Sequence, residues 1–175
     1  MNKALFLDRD GIVNIDKGYV HNIADIEFVE GIFALCKKAY QQGYKIIMVT
    51  NQSGIGRGYY SEDDFTALTE WIHAAFAQKG IEVSATYFCP HHPTKGKGKY
   101  LTSCECRKPA PGMLIQAKEQ NNIDFLQSIY IGDKDSDMEA AQKVGIEKRY
   151  LLRTNYPLAN PFQDTIVESL HDIPL

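Results

Sequence analysis

The chain has 175 residues, of which 44% are hydrophobic, 11% aromatic and 23% charged, enough apolar material for one core and too evenly mixed for a disordered or fibrous protein. With 19 basic against 22 acidic residues the formal charge is -3, which argues against the broad basic footprint of a nucleic-acid binder. The apolar runs, such as Ala4 to Leu7 and Ile46 to Val49, are far shorter than the ~20 residues that span a bilayer or the ~7–15 of a secretory segment, so the expected protein is cytoplasmic, without a membrane partner.

Ala4 to Leu7 reads as a buried strand and is followed by Asp8-Arg9-Asp10-Gly11. A helix is expected from about Ile32 to Gln42, closed by Gly43, and contains Cys36 as a small buried thiol. The strand Lys45 to Val49 leads into Thr50-Asn51-Gln52-Ser53-Gly54. A second helix opens at Ser61, with Asp64 three residues on as a weak capping box, and runs to Gly80. Its Phe65, Leu68, Ile72, Ala75 and Phe76 form one apolar stripe. Thr86 to Cys89 is the third strand, and the third helix has Pro111 near its first turn. Ser128 to Ile131 is the fourth strand; the helix after it starts about Asp135, read as its cap, and stops before Gly145. Tyr150 to Leu152 is the fifth strand. Strands alternating with helices predict an α/β fold, a Rossmann-like parallel sheet with helices on both faces, in a single domain over 1–175.

Residues 90–109 break the alternation. A structureless loop of this length is uncommon in a compact domain and is usually functional or stapled. It carries Lys95, Lys97 and Lys99, read as solvated, and two of the four cysteines and two of the five histidines. Cys89, Cys104 and Cys106 fall close together, and in a reducing compartment clustered thiols are more often metal ligands than disulfides.

Ligands of open parallel sheets sit beyond the carboxyl ends of the strands, so the polar residues just after each apolar run are the candidates for chemistry. Singly, Asp-x-Asp is often a turn, Gly-Asp before a helix a cap, Thr50-Asn51 a turn and Lys108 a solvated side chain. At successive strand ends they fit phosphoryl transfer to a carboxylate. Asp8 can attack while Asp10, returned over it by a turn at Gly11, manages protons. Asp8 and Asp133 supply hard oxygens for Mg²⁺, Thr50 and Lys108 hold the phosphoryl oxygens, and Asp137 orients the metal waters or Lys134.

The set Phe6-Leu7-Asp8-Arg9-Asp10-Gly11, Thr50-Asn51-Gln52-Ser53-Gly54-Ile55, Cys106-Arg107-Lys108-Pro109 and Ile131-Gly132-Asp133-Lys134 resembles the haloacid-dehalogenase superfamily of phosphatases, in its histidinol-phosphatase-like branch. The resemblance spans about Ala4 to Arg153. It implies a monomer without a large cap domain, with Asp8 as nucleophile and Asp10 as general acid, then base. It also implies Mg²⁺ held by Asp8, Asp133 and the main-chain carbonyl of Asp10. In the same family context, Cys89, His91, Cys104 and Cys106 form C-x-H-x12-C-x-C, a ligand set for a structural Zn²⁺ that would rigidify a loop over about 89–109, with His92 a bystander. Substrate contacts implied by the resemblance are Asp16, Lys17, Gly18, Tyr19, Thr50, Asn51, Gln52, Ser53, Arg107, Lys108 and Lys134. Ile12 and Gly56 depart from the pattern, where many members carry a hydroxyl residue and an alanine.

The expected activity is that of a Mg²⁺-dependent phosphatase acting on a small sugar bisphosphate, the Arg107 and lysine-rich loop favouring a second phosphate. Histidinol-phosphate phosphatase is the alternative with the same catalytic groups. A nucleic-acid 3'-phosphatase lacks support in the charge balance, and a zinc-stabilised binding module would be supported by loss of a catalytic carboxylate, whereas all three are present.

Overall fold

The structure, a computed structural model, describes residues 1–175. Six strands, β1 (Ala4–Leu7), β2 (Lys45–Asn51), β3 (Val83–Cys89), β4 (Ile129–Gly132), β5 (Lys148–Leu152) and β6 (Thr165–Val167), pair in the order β3-β2-β1-β4-β5-β6. Every pairing is parallel. The helices are α1 (Ile32–Gln41), α2 (Ser53–Gly56), α3 (Glu62–Gln78), α4 (Gly112–Asn121) and α5 (Asp135–Lys143).

Side chains alternate across a strand, and this alternation divides the core in two. Leu5, Leu7, Ile46, Met48, Ile129 and Ile131 pack on one face against Ile32 and Leu35 of α1 and Leu68, Ile72 and Phe76 of α3. Ala4, Phe6, Ile47, Val49 and Tyr130 pack on the other against Met113, Leu114 and Ala117 of α4 and Met138, Ala140 and Ala141 of α5. Both faces are covered, which is why the central strands are continuous apolar runs without a polar phase. Ile12, one departure from the family pattern, is fully buried in the first of these clusters.

Several expectations are corrected. β6 was not anticipated: three residues between Asp164 and Glu168 are too short for a periodic signal, and they join the sheet by pairing with β5 at its edge. β3 begins at Val83, three residues earlier than expected, because Val83 and Ala85 pair with Ile46 and Ile47 of β2 across an irregularity at Ser84 despite their weak apolar pattern. The short α2, bounded by two glycines of the Ser53–Gly56 segment, has no sequence period. Ser61 and Asp64 form the reciprocal capping box that starts α3. Pro111 stands just before α4, and Asp135 does not cap α5. Asp137 accepts the Lys134 N–H at 3.2 Å, while Asp135 binds the main-chain N–H groups of Ala159 and Asn160 at 2.8 and 3.0 Å.

β1 lies at the sheet's centre between β2 and β4, where the strand order reverses. Connections leave this point in opposite directions and open a crevice at the carboxyl ends of the strands, which is where β1 delivers Asp8. The other end of β1 is held by Ser128, whose buried Oγ accepts the Ala4 N–H at 3.0 Å and donates to Asp124 O at 2.7 Å. Ser128→Ala leaves that strand N–H buried and unpaired, at a cost of about 1–3 kcal/mol. Urea unfolding is expected to show a lower midpoint with an unchanged slope.

Candidate active site

After β1 the chain turns back on Arg9, whose carbonyl accepts the N–H groups of Ile12, Val13 and Asn14 at 3.2, 2.8 and 3.2 Å. The turn needs Gly11 twice. Its φ is +98°, and a Cβ there would lie 2.2 Å from Asp133 Oδ2. Asp8 Oδ1 accepts the Arg9 N–H at 2.9 Å and Lys108 Nζ at 3.0 Å, leaving Oδ2 without a protein partner. Asp10 Oδ1 is held by Arg9 Nη2 at 2.9 Å and Asn14 Nδ2 at 3.1 Å, and Oδ2 accepts Gln52 Nε2 at 3.1 Å. Tyr60 fixes Gln52 by donating to its Oε1.

Lys108 is buried and fully engaged. Besides Asp8, its Nζ reaches Asp137 Oδ1 at 2.6 Å, Val49 O at 2.9 Å and Tyr130 Oη at 3.3 Å. Its main chain is held by the carboxamide of Asn51, which accepts the Lys108 N–H at 3.0 Å and donates to Lys108 O at 3.2 Å. Asp137, expected to orient metal waters or Lys134, instead binds Lys108 and takes the N–H groups of Asp133 and Lys134, each at 3.2 Å. Asp133 lies beside Asp8 and Asp137, with the three carboxylates close enough to surround one cation.

Burial, reinforced by the charge of Asp137, pushes the Asp8 carboxyl well above its ordinary range despite the opposing pull of Lys108. The same two causes push Asp133 up to about 6. Burial works against the Lys108 ammonium, but Asp137 and Asp8 override it and hold its pKa above the lysine norm. Two carboxylates raised in this way mark a place where positive charge is short. A divalent cation fits: Asp133 Oδ1 is buried with no partner, Asp8 Oδ2 is free, and hard oxygens are the donors Mg²⁺ selects.

Asp8, Asp10, Lys108 and Asp137 form the inner wall of a cavity of about 510 Å³, with Asp133 behind it. Of the residues expected to touch substrate, Asp16, Gly18, Tyr19, Asn51, Gln52, Ser53, Arg107, Lys108 and Lys134 line it, together with Asp8 and Asp10. Two do not. Lys17 points away to Glu27 at 3.5 Å, because Asp16 Oδ1 accepts the Gly18 N–H and turns the loop. Thr50 is fully buried behind Gln52, whose Nε2 donates to Thr50 Oγ1 at 2.8 Å. Arg57, Tyr60, Ser136 and Tyr156 also line the cavity and carried no motif signal. Arg57 stacks over Tyr19, itself edge-on to Tyr59, and Lys134 lies over Tyr156. Lys95, Lys97 and Lys99 lie outside the cavity wall; Lys97 N–H binds Gly56 O at 2.8 Å, and Lys99 lies 4.0 Å from Glu62. At Gly56, the second departure from the family pattern, a Cβ would come within 2.4 Å of Pro90 O.

In the loop after β3, ligand atoms of Cys89, His91, Cys104 and Cys106 all lie within 4.8 Å of one another. The Cys89 and Cys106 sulfurs are in disulfide contact, and His91 Nδ1 lies 3.5 and 3.4 Å from them. Cys104 Sγ is 3.4 Å from both sulfurs. A disulfide alone accounts for two of these residues, whereas a soft or borderline metal ion accounts for all four.

The family described as polynucleotide kinase 3 phosphatase matches residues 7–149. D-glycero-beta-D-manno-heptose-1,7-bisphosphate 7-phosphatase of Vibrio cholerae is 43% identical over 174 residues, 98% of this chain and 94% of that one. The enzyme of the same name from Pasteurella multocida is 45% identical over 177 residues, 99% and 96% of the two chains. The crystal structure of D,D-heptose 1,7-bisphosphate phosphatase from B. bronchiseptica, complexed with magnesium and phosphate, superposes with a TM-score of 0.80 at 28% identity, covering 96% of this chain and 93% of that one. Full-length likeness joins a carboxylate-lined strand edge of the kind laid out above, and the chain belongs to the haloacid-dehalogenase-like phosphatases, among the heptose 1,7-bisphosphate 7-phosphatases.

Proposed function

We propose that this protein hydrolyses the 7-phosphate of D-glycero-D-manno-heptose 1,7-bisphosphate, the step that would feed nucleotide-activated heptose synthesis for lipopolysaccharide core. The observation that carries the chemistry is the buried Asp8, with one oxygen fixed by Lys108 and the other free at the cavity's inner wall. Relatives named for this activity across nearly the whole chain support the substrate, and their names specify the beta anomer.

Asp8 would attack phosphorus, breaking the bond to the sugar oxygen and forming an aspartyl-phosphate. Asp10 would give the departing oxygen its proton and then take one from the water that cleaves the intermediate. Arg9 and Asn14 anchor its Oδ1, leaving Oδ2, with the single donor Gln52, to carry the proton. Asp8, Asp133 and the main-chain carbonyl of Asp10 would hold Mg²⁺, which supplies charge stabilisation to the transferring phosphoryl group when bound. Lys108 adds positive charge at the nucleophile, and Thr50 supports Gln52 rather than lining the cavity. With phosphate release followed in Mg²⁺, the beta-anomer is expected to be turned over at least about tenfold more efficiently than the alpha-anomer or histidinol phosphate, and Asp8→Asn to lower kcat by roughly 10⁴-fold or more while the fold survives. A preference for histidinol phosphate would keep the chemistry and overturn the substrate.

The outer end of the cavity favours a bisphosphate. Burial, with the neighbouring charge of Arg57, holds the Arg107 guanidinium below the arginine norm, Arg107 Nη1 is buried without a partner, and neither arginine pairs with a carboxylate. Two unpaired guanidiniums suit a second phosphate and would repel the cationic groups of histidinol phosphate. Arg57→Ala is expected to raise KM for the bisphosphate about tenfold or more, with little change for a heptose carrying only the 7-phosphate.

For the loop we propose a structural Zn²⁺ on Cys89, His91, Cys104 and Cys106, held as thiolates and imidazole in a cytoplasmic protein; no helix is long and apolar enough to cross a membrane. Metal analysis of protein purified without added metal should find about one zinc per chain, and chelation should lower both Tm and turnover. Two thiols missing from a denaturing titration, with no zinc bound, would instead establish the Cys89–Cys106 disulfide.

A further inference from the structure

Beyond the ends of β1, β2 and β4, one more strand reaches the metal-ligand cluster. β4 and β5 pair in parallel with Gly132 opposite Leu151, so the segments that leave them, Asp133 and Arg153-Thr154, run out of the sheet side by side. Thr154 Oγ1 lies 3.3 Å from Asp133 Oδ2. The Tyr156 N–H donates to that same hydroxyl oxygen, also at 3.3 Å. A hydroxyl that already accepts from the main chain directs its single proton to the carboxylate.

We propose that Thr154 is a positioning residue for the cation ligand Asp133, an inference that rests on reading Asp8 and Asp133 as the Mg²⁺ site. Asp133 is gripped on three sides. Its main-chain N–H is held by Asp137 Oδ2 at 3.2 Å, its carboxylate packs against the face where Gly11 has no Cβ, and Thr154 fastens Oδ2. The remaining oxygen, Oδ1, is buried with no partner. With one oxygen tethered, the carboxyl group cannot swing freely about its terminal torsion, so Oδ1 is aimed at a single place without the ordering cost that a free carboxylate meets when it takes up a metal.

Thr154 lines a second cavity, of about 450 Å³, shared with Gly11, Asp16 and Asp133. A valine, close in shape, therefore meets no crowding there, and Thr154→Val deletes the hydroxyl together with its hydrogen bonds to Asp133 Oδ2 and from the Tyr156 N–H.

The test is Mg²⁺ titration of the full chain by calorimetry, beside the Mg²⁺ dependence of phosphate release. Thr154→Val is expected to weaken Mg²⁺ binding about tenfold or more, with a smaller loss of kcat at saturating Mg²⁺ and little change in Tm without Mg²⁺. Thr154→Ser, which keeps the hydroxyl, should restore binding to within about twofold of the parent. A folded Thr154→Val protein that binds Mg²⁺ as the parent does overturns the proposal, as does a Thr154→Ser protein as weak as the valine variant. Should the valine variant fail to fold, Thr154→Ala is read in its place by the same criteria. A parent chain that binds no Mg²⁺ overturns the metal reading itself and this inference with it, whereas a parent that binds and a valine variant that binds equally remove only the role of Thr154.

Discussion

The site depends on one buried ammonium. Lys108 Nζ is shared by Asp8 and Asp137 and further satisfied by a main-chain carbonyl and the Tyr130 hydroxyl. A lone ammonium at this depth would cost several kcal/mol in lost hydration, and only close partners offset it. Those partners come from the end of β1 and the first turn of α5, and Asn51 at the end of β2 adds two hydrogen bonds to the lysine's main chain. Three strand ends and the loop are thereby fastened at one point. The pairing is unequal: neutralising Asp8 leaves the lysine its contact with Asp137, whereas deleting the lysine strands two buried carboxylates. Lys108 is therefore a foundation of the folded edge as well as part of its chemistry.

That arrangement leaves the inner wall short of positive charge, since Asp133 joins the two acids that Lys108 already serves. At the outer end the balance is reversed. Arg57 and Arg107 line the cavity with no carboxylate in ion-pair contact, Arg57 lies over Tyr19, and Tyr19 packs edge-on to Tyr59. The inner end invites a divalent cation together with an anion, and the outer end an anion alone. A sugar carrying a phosphate at each end matches both, with its hydroxyl-bearing middle against aromatic and polar side chains. Selectivity can thus arise in a chain with no large cap, because the two ends of the cavity differ in what they lack.

Asp8, Asp10 and Asp133 were legible in the sequence because a parallel sheet delivers whatever follows each apolar run to a common edge; Lys108, which follows the cysteine loop rather than a strand, was legible only through Cys106-Arg107-Lys108-Pro109. The motifs could not show where a side chain points. Lys17 sits between two cavity-lining residues, yet the Asp16 turn sends it outward, and Thr50 is one residue too deep to line the wall. Arg57 and Tyr60 follow a single helical turn between glycines, where no period exists to read. Spacing makes Asp135 the cap, but the folded chain assigns it to the 159–160 main chain and gives the Lys134 N–H to Asp137, which also holds Lys108. β6 and Thr154 share one cause: the last third of the sheet is built from short pieces recognised by pairing rather than by pattern.

The loop after β3 explains how a segment with so little apolar material can hold a recognition residue and a buried cation in place. Cys89 is the last residue of β3, paired with Asn51, and its carbonyl accepts the Gln52 N–H at 2.8 Å. Cys106 immediately precedes Arg107 and Lys108. The cysteine cluster therefore ties the far end of the loop to the same strand end from which Asn51 grips Lys108, and Gln52 reaches Asp10 from there as well. An insertion of this length would lose more conformational entropy on ordering than its few buried side chains return, so the four converging side chains of the cluster do the work that a small core would do in a larger protein. Loosening the cluster should then disturb Arg107 first, since its main chain is tied only to the neighbouring Ala110 N–H, and Lys108 later, because Asn51, Asp8 and Asp137 hold it independently of the cluster. Recognition of the outer anion is, on this geometry, more sensitive to the loop than the chemistry at Asp8.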